Sequence, residues 1–270
     1  MATSKKTSAK KTSNKKAVAK VEDTGFLDAA IGEEQSGAFG DMDASTMAIP
    51  YLKLVQKTAA EMKKSDPKYM PEAEEGQYVN SVTRKLYDNP IVMVLGFEHI
   101  YTEWTPDGKL VARHAKSLFS SICVNPKDFP KYMTAAGNDL TETYMYYLLV
   151  EGEEADGPVI LSLTKSNITS GQAWNRLLQG LTYKGKKLSP EYGKYELSTA
   201  DKSNKQGEWK VLKATRIAGN ELVSQEQFAA VNQEKAALPD AEKVSHSMQI
   251  AEGKGTSQAT GDEAEEDVKY

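Results

Sequence analysis

The stretch from Pro90 to Trp104, PIVMVLGFEHIYTEW, does most to limit what this chain can fold into. It is rich in β-branched and aromatic residues, which suit a pleated, half-buried surface. TPDGKL then reads as a turn in which Gly108 is free to take positive φ, and KLVARHA returns from it. TYMYYLLVEGEEADGPVILSLT reads as a hairpin, with strands near 143–150 and 158–164 around an acidic loop. In SNITSGQAWNRLLQGL, Ala173, Trp174, Leu177, Leu178 and Leu181 recur at helical spacing behind Ser or Thr caps at 166, 169 or 170. YKGKKLSPEYG is a basic loop, KYELST a strand, DKSNKQG a turn and EWKVLKATRI a strand. SQEQFAAVNQEKAAL reads as a helix opened by a capping box, Ser224 with Gln227.

Upstream, Pro50 argues against a helix interior in IPYLKLVQ, so 49–56 is predicted as a short strand. SDPKYMPEAEEG is loop, and GQYVNSVTRKLYDNP holds a weak strand and an Asp-Asn-Pro turn. From Pro90 onward the order is strand, strand, strand, helix, strand, strand, once 109–116 is counted as an insertion. That is the order of the five-stranded OB barrel, whose helix lies between the third and fourth strands. The predicted fold is mainly β with a few helices: an OB-like barrel with insertions, flanked by disordered tails.

The ends differ from the middle in charge. Residues 1–20 carry seven Lys and no acid, and 21–45 carry seven acids and no base. Residues 46–225 have a net charge of +2 and 226–270 a net of −6, so the overall −4 averages unlike segments. An apolar fraction of 39% is low for a globular chain and fits disordered flanks around a normal core. The expected organisation is a disordered basic-then-acidic arm over 1–45, an OB-like nucleic-acid-binding domain over 46–220, a helix over 221–238 and a disordered acidic tail over 239–270. The single cysteine, Cys123, allows no intrachain disulfide and fits a reducing cytoplasm. No apolar run approaches the ~20 residues that cross a bilayer, and the basic N-terminus lacks the apolar segment of a secretory signal.

Few motifs of catalysis are present. His99, His114, His246 and Cys123 lack metal-ligand spacing, so no metal or other cofactor is expected, and Cys123 reads as a small core side chain. EGKGTS at 252–257 lacks the first Gly of a phosphate loop and a preceding strand. One enzyme-like pattern survives. Asp201 followed by Glu208 and Lys210 has the D…E-x-K form in which carboxylates hold Mg²⁺ and a Lys orients water. In a chain this rich in charge, a surface hairpin with mixed charges explains it as well.

The richer constellation is basic and aromatic. Ser170 to Arg216 holds ten bases against four acids, interleaved with Trp174, Tyr183, Tyr192, Tyr195 and Trp209. Single-stranded nucleic acid needs both ingredients, cations along its backbone and flat rings for its bases. Trp174 reads as a core residue of its helix; strands expose alternate side chains, which leaves Tyr195, Trp209, Tyr101 and Trp104 open to either role.

The chain ends GDEAEEDVKY, five carboxylates in six residues and then an aromatic terminus. This tail resembles those of single-stranded DNA-binding proteins of bacteria and phages. The middle is similar to a loose group of phage proteins of that type, through IPYLKLVQ (49–56), IYTEW (100–104), PVILSLTKSNITSGQAWNRLL (158–178) and KYELSTADKSNKQGEWKV (194–211). Lys269 departs from the pattern by interrupting the acidic run. The resemblance implies an OB-like fold, binding of single-stranded DNA without sequence preference, and contacts with replication or recombination proteins in a host cytoplasm. Lys165, Arg176, Lys184, Lys186, Lys187, Lys210, Lys213 and Arg216 would neutralise phosphate, and Tyr101, Trp104, Tyr195 and Trp209 would stack on bases. Asp262, Glu263, Glu265, Glu266, Asp267 and Tyr270 would serve partners and screen the basic groove. The expected protein is no enzyme and contacts no membrane, with a homo-oligomer allowed. A D…E-x-K nuclease and a virion or scaffold protein without a nucleic-acid role are the alternatives.

Overall fold

The computed structural model describes residues 49–205, 207–217 and 222–238, all within the unit Met42–Tyr270. The predicted arm over 1–45 and tail over 239–270 lie outside the described residues, as do His246 and the six tail residues assigned to partners. β1 (Leu52–Leu54), β2 (Tyr78–Asn80) and β3 (Leu86–Tyr87) make a small antiparallel sheet. The main sheet is built on β4 (Ile91–Trp104), with β5 (Leu110–Ala115) returning along its distal half. A 3-10 turn, the short α1 (Phe119–Ile122) and β6 (Tyr132–Met133) lead into β7 (Asp139–Val150), which pairs with nearly the whole of β4. β8 (Val159–Thr164), α2 (Ile168–Gln179), the hairpin β9 (Thr182–Tyr183) and β10 (Lys186–Lys187), β11 (Lys194–Asn204), β12 (Gly207–Arg216) and α3 (Gln225–Ala237) complete the described chain.

The chain is mainly β, as its sequence predicts. The hydrogen-bonded path runs β12-β11-β4-β7-β8, with α2 between the third and fourth of these strands in chain order. β5 and β6 are the insertion between the first and second. Among the described residues no ladder joins the two ends of the path. Ile160 N of β8 instead donates to Pro50 O at 2.8 Å, and Tyr51 bridges Ile160 in parallel. Side-chain amides meet the free edge of β12. Gln56 donates to Lys210 O at 2.8 Å and accepts from Lys210 N at 3.0 Å, while Asn167 Oδ1 accepts from Leu212 N at 3.0 Å. Asn167 is also the N-cap residue of α2, in place of the Ser and Thr positions expected, and it makes no side-chain cap bond because its amide is turned to β12.

A bulge decides which residues of β4 face inward. Val94 pairs with Leu148 but Gly96 with Tyr147, so Leu95 is the extra residue and the alternation shifts by one. Val92 and Val94 face inward before it; Phe97, His99, Tyr101 and Glu103 share that side after it, opposite Tyr146, Tyr144, Glu142 and Leu140. The inner core joins Val92, Val94, Tyr146, Leu148, Leu161, Trp174, Tyr195 and Leu212. Trp174 of α2 stacks on Tyr146 at 4.2 Å between ring centroids. α2 can come this close because residue 171 is glycine: a Cβ there would lie 2.7 Å from Tyr144 Cδ2.

The outer face of β4, β7 and β8 carries Met93, Leu95, Met145, Tyr147, Leu149 and Ile160. Tyr51, Val231 of α3 and the half-buried Ile49, Ala230 and Leu238 cover it. α3 begins at the predicted capping box, Ser224 with Gln227. Gln227 Nε2 also reaches Glu151 Oε1 at 3.1 Å, Phe228 stacks on Tyr192 at 4.2 Å, and Lys235 pairs with Glu191 at 2.5 Å.

Candidate nucleic-acid interface

The sequence-predicted site residues are not gathered into one groove. Tyr195 is fully buried, edge-on to Trp174, and Tyr101 is 7% exposed beneath Phe119, whose ring stacks on it at 4.2 Å. Both are core rings and cannot hold a base. Tyr195 follows the inward alternation of β11, and the β4 bulge turns Tyr101 inward. Trp104 and Trp209 are half-buried. Trp104 ends β4 opposite Asp139, and Trp209 sits opposite Lys202 on the β11–β12 hairpin.

The bases are spread over several elements. Arg216 donates to Leu177 O at 2.9 Å, which ties β12 to the last turn of α2. Lys210 Nζ lies 2.6 Å from Asp201 Oδ1, and that carboxylate holds the ammonium pKa above its ordinary value. Lys165, Arg176 and Lys213 are exposed, on the turn before α2, on α2 and on β12 respectively. Only Lys184, Lys186 and Lys187 stand together. All three are exposed on the β9–β10 hairpin, where Lys184 Nζ lies 5.1 Å from the centre of the Tyr183 ring, itself 47% exposed. The hairpin places no acid beside them.

A second group carries no signal in simple alternation. From Phe97 a continuous row of rings follows the inward side of β4 and β7 away from the inner core. Phe97 meets Tyr144 at 5.4 Å and Tyr146 at 5.0 Å, and Tyr144 meets His99 at 4.7 Å. His99 lies 5.9 Å from Tyr101, which touches Phe119 and Tyr132, and Tyr132 is 6.0 Å from Phe129. The two ends of the row are open, with Phe97 39% and Phe129 72% exposed. The middle is the small core of the insertion: Tyr101, Cys123 and Leu140 against Phe119, Ile122 and Tyr132. Cys123 is buried there, as its sequence context predicts.

One acid–histidine pair pins this insertion, and a second lies beside it between β4 and β7. Glu103, 8% exposed, accepts from Asn138 Nδ2 at 2.7 Å and Thr134 Oγ1 at 3.3 Å, and lies 2.7 Å from His114 Nε2. Burial pushes the Glu103 carboxyl pKa up, but these bonds outweigh it and hold the group below its ordinary value. His99 Nε2 is 2.8 Å from Glu142 Oε1 but misaligned for a hydrogen bond. Burial holds that imidazole below its ordinary pKa despite the attraction of Glu142, and the nearby Lys116 charge lowers it further.

The D…E-x-K trio has a different environment from the one expected. β11 runs on through Asp201, which stands directly opposite Lys210 in a ladder and not in a turn. The ammonium of Lys210 occupies the Asp201 carboxylate, and Glu208 lies 3.8 Å from Lys57. Among the described residues no three His, Cys, Asp or Glu side chains group as metal ligands. Nor is any helix among them long and apolar enough to cross a membrane.

Comparison with curated proteins and with solved structures gives no match. A family model described as Pam3 phage gp34-like protein matches residues 16–249, which takes in the whole described fold. The chain therefore belongs to the Pam3 phage gp34-like family, a phage protein family.

Proposed function

We propose that this phage protein is a non-catalytic binder of single-stranded DNA without sequence preference. The observation that carries the reading is the β9–β10 hairpin, which holds three exposed lysines and an exposed tyrosine and contains no acid. Ammonium groups neutralise phosphate and release counterions, and an open ring accepts a base whatever its identity. Arg176 and Lys213 are further exposed cations, on α2 and β12. The OB strand order supports the reading by analogy of fold alone. Asp262, Glu263, Glu265, Glu266, Asp267 and Tyr270 would recruit replication or recombination proteins and compete with DNA for the lysines.

Incubation of the protein with an oligonucleotide in Mg²⁺, followed by added nuclease, tests the reading. The strand is expected to stay intact and to be protected. Cleavage before nuclease is added, abolished by Glu208→Ala, would replace this reading with the D…E-x-K nuclease. Neither protection nor cleavage would favour a virion or scaffold role.

A further inference from the structure

We infer that the bases of a bound single strand stack on Phe97 and Phe129, along the ring row of β4, β7 and the insertion, and not on the outer face of β7 and β8. This rests on the single-strand reading and specifies where the bases go. OB modules commonly hold oligonucleotides on the outward face of their second and third strands. Here those strands are β7 and β8, and their outward face is covered along most of its length, with Ser162 left exposed. Met145, Tyr147, Leu149 and Ile160 are each at most 3% exposed beneath α3, residues 49–51 and Leu238.

The opposite side is open at Phe97. The bulge at Leu95 turns this residue onto the inner side, at the margin of the inner core, where 39% of it remains exposed. Tyr144 and Tyr146 hold the ring from two sides, so its orientation is fixed before any ligand arrives. At the other end Phe129 is 72% exposed and rests against Tyr132 alone among the rings. Rings set into a sheet face reach the flat side of an unpaired base, whereas a duplex keeps those faces inside its own stack. Cations stand near His99 within the row and near its Phe129 end. Lys116 is exposed and close enough to His99 for its charge to act on that ring, and Lys127 is exposed two residues before Phe129. Of the carboxylates near the row, Glu103 and Glu142 each face a histidine, and Asp128, exposed, lies between Lys127 and Phe129.

Fluorescence anisotropy of labelled oligo(dT) with the full-length protein tests the inference, using Phe97→Leu, Phe129→Leu and the pair together. Leucine keeps the apolar contact and removes the ring, and an unchanged melting temperature certifies the fold; Phe129→Ala serves as a further variant at the more exposed site. Each substitution is expected to weaken binding by at least about fivefold, with the salt slope unchanged because no charge is lost. Wild-type binding with the double variant within about twofold of it overturns the stacking inference and leaves the single-strand reading standing. A wild-type protein that fails to bind at low salt overturns both.

Discussion

Gly171 and Glu103 are the residues on which the fold turns most sharply. An alanine at 171 gains about 1 kcal/mol of helix propensity. Its methyl, however, requires the buried Tyr144 ring to move, at a cost of about 1–3 kcal/mol. Gly171→Ala is therefore expected to lower the melting temperature and to alter Trp174 emission, because Tyr146 beside Tyr144 stacks on that indole. A raised melting temperature would show that the helix does not need this close approach. Glu103 makes a prediction in pH. Its folded pKa is depressed, so its stabilisation is present above the unfolded value of 4.5 and is lost as pH falls through the folded value. His99, also depressed, contributes in a higher window, lost as pH falls below 6.5. Melting curves of Glu103→Gln should lose part of the acid-side slope below 4.5 while keeping the His99 component. An unaltered slope would remove Glu103 from the account.

At the scale of elements, β12 is an edge strand protected by amide side chains and not by a neighbouring strand. Asn167→Ala leaves the Leu212 N–H without its acceptor and should cost roughly 1–3 kcal/mol. Hydrogen exchange should locate the loss at the Leu212 amide; protection unchanged there would mean that another group closes the edge. The β9–β10 hairpin makes a separate prediction. Replacing Lys184, Lys186 and Lys187 with alanine should reduce the slope of log K against log salt by roughly 2, at ~0.7 per phosphate contact on a single strand. An unchanged slope would place the phosphates elsewhere. The strands, α2 and α3 were legible because β-branched runs, the spacing of Trp174, Leu177 and Leu178, and the capping box at Ser224 are local signals. The site was less so. Tyr195 and Tyr101 read as open rings because facing is set by pairing partners; for Tyr101 the β4 bulge reverses it, and Gly96 inside the strand is its one local mark. Phe97 escapes for the same reason, Phe129 because it lies in a turn outside any periodic run, and Asn167 gives no hint that its amide serves a strand forty-five residues away.

Across the whole molecule, an OB strand order, a covered outer sheet face and a lysine-bearing hairpin leave a defined part of the surface for an oligonucleotide. In the proposed reading the acidic C-terminal residues compete for the same lysines, so removing 261–270 should tighten DNA binding and steepen its salt dependence; unchanged affinity would end the screening idea. The central claim is single-strand binding. It is tested most directly by titrating a labelled oligo(dT) with the full-length protein at two salt concentrations, with Mg²⁺ present and the duplex as control. The account predicts salt-sensitive binding of the intact single strand and much weaker binding of the duplex. Absence of binding to the single strand at low salt would contradict it.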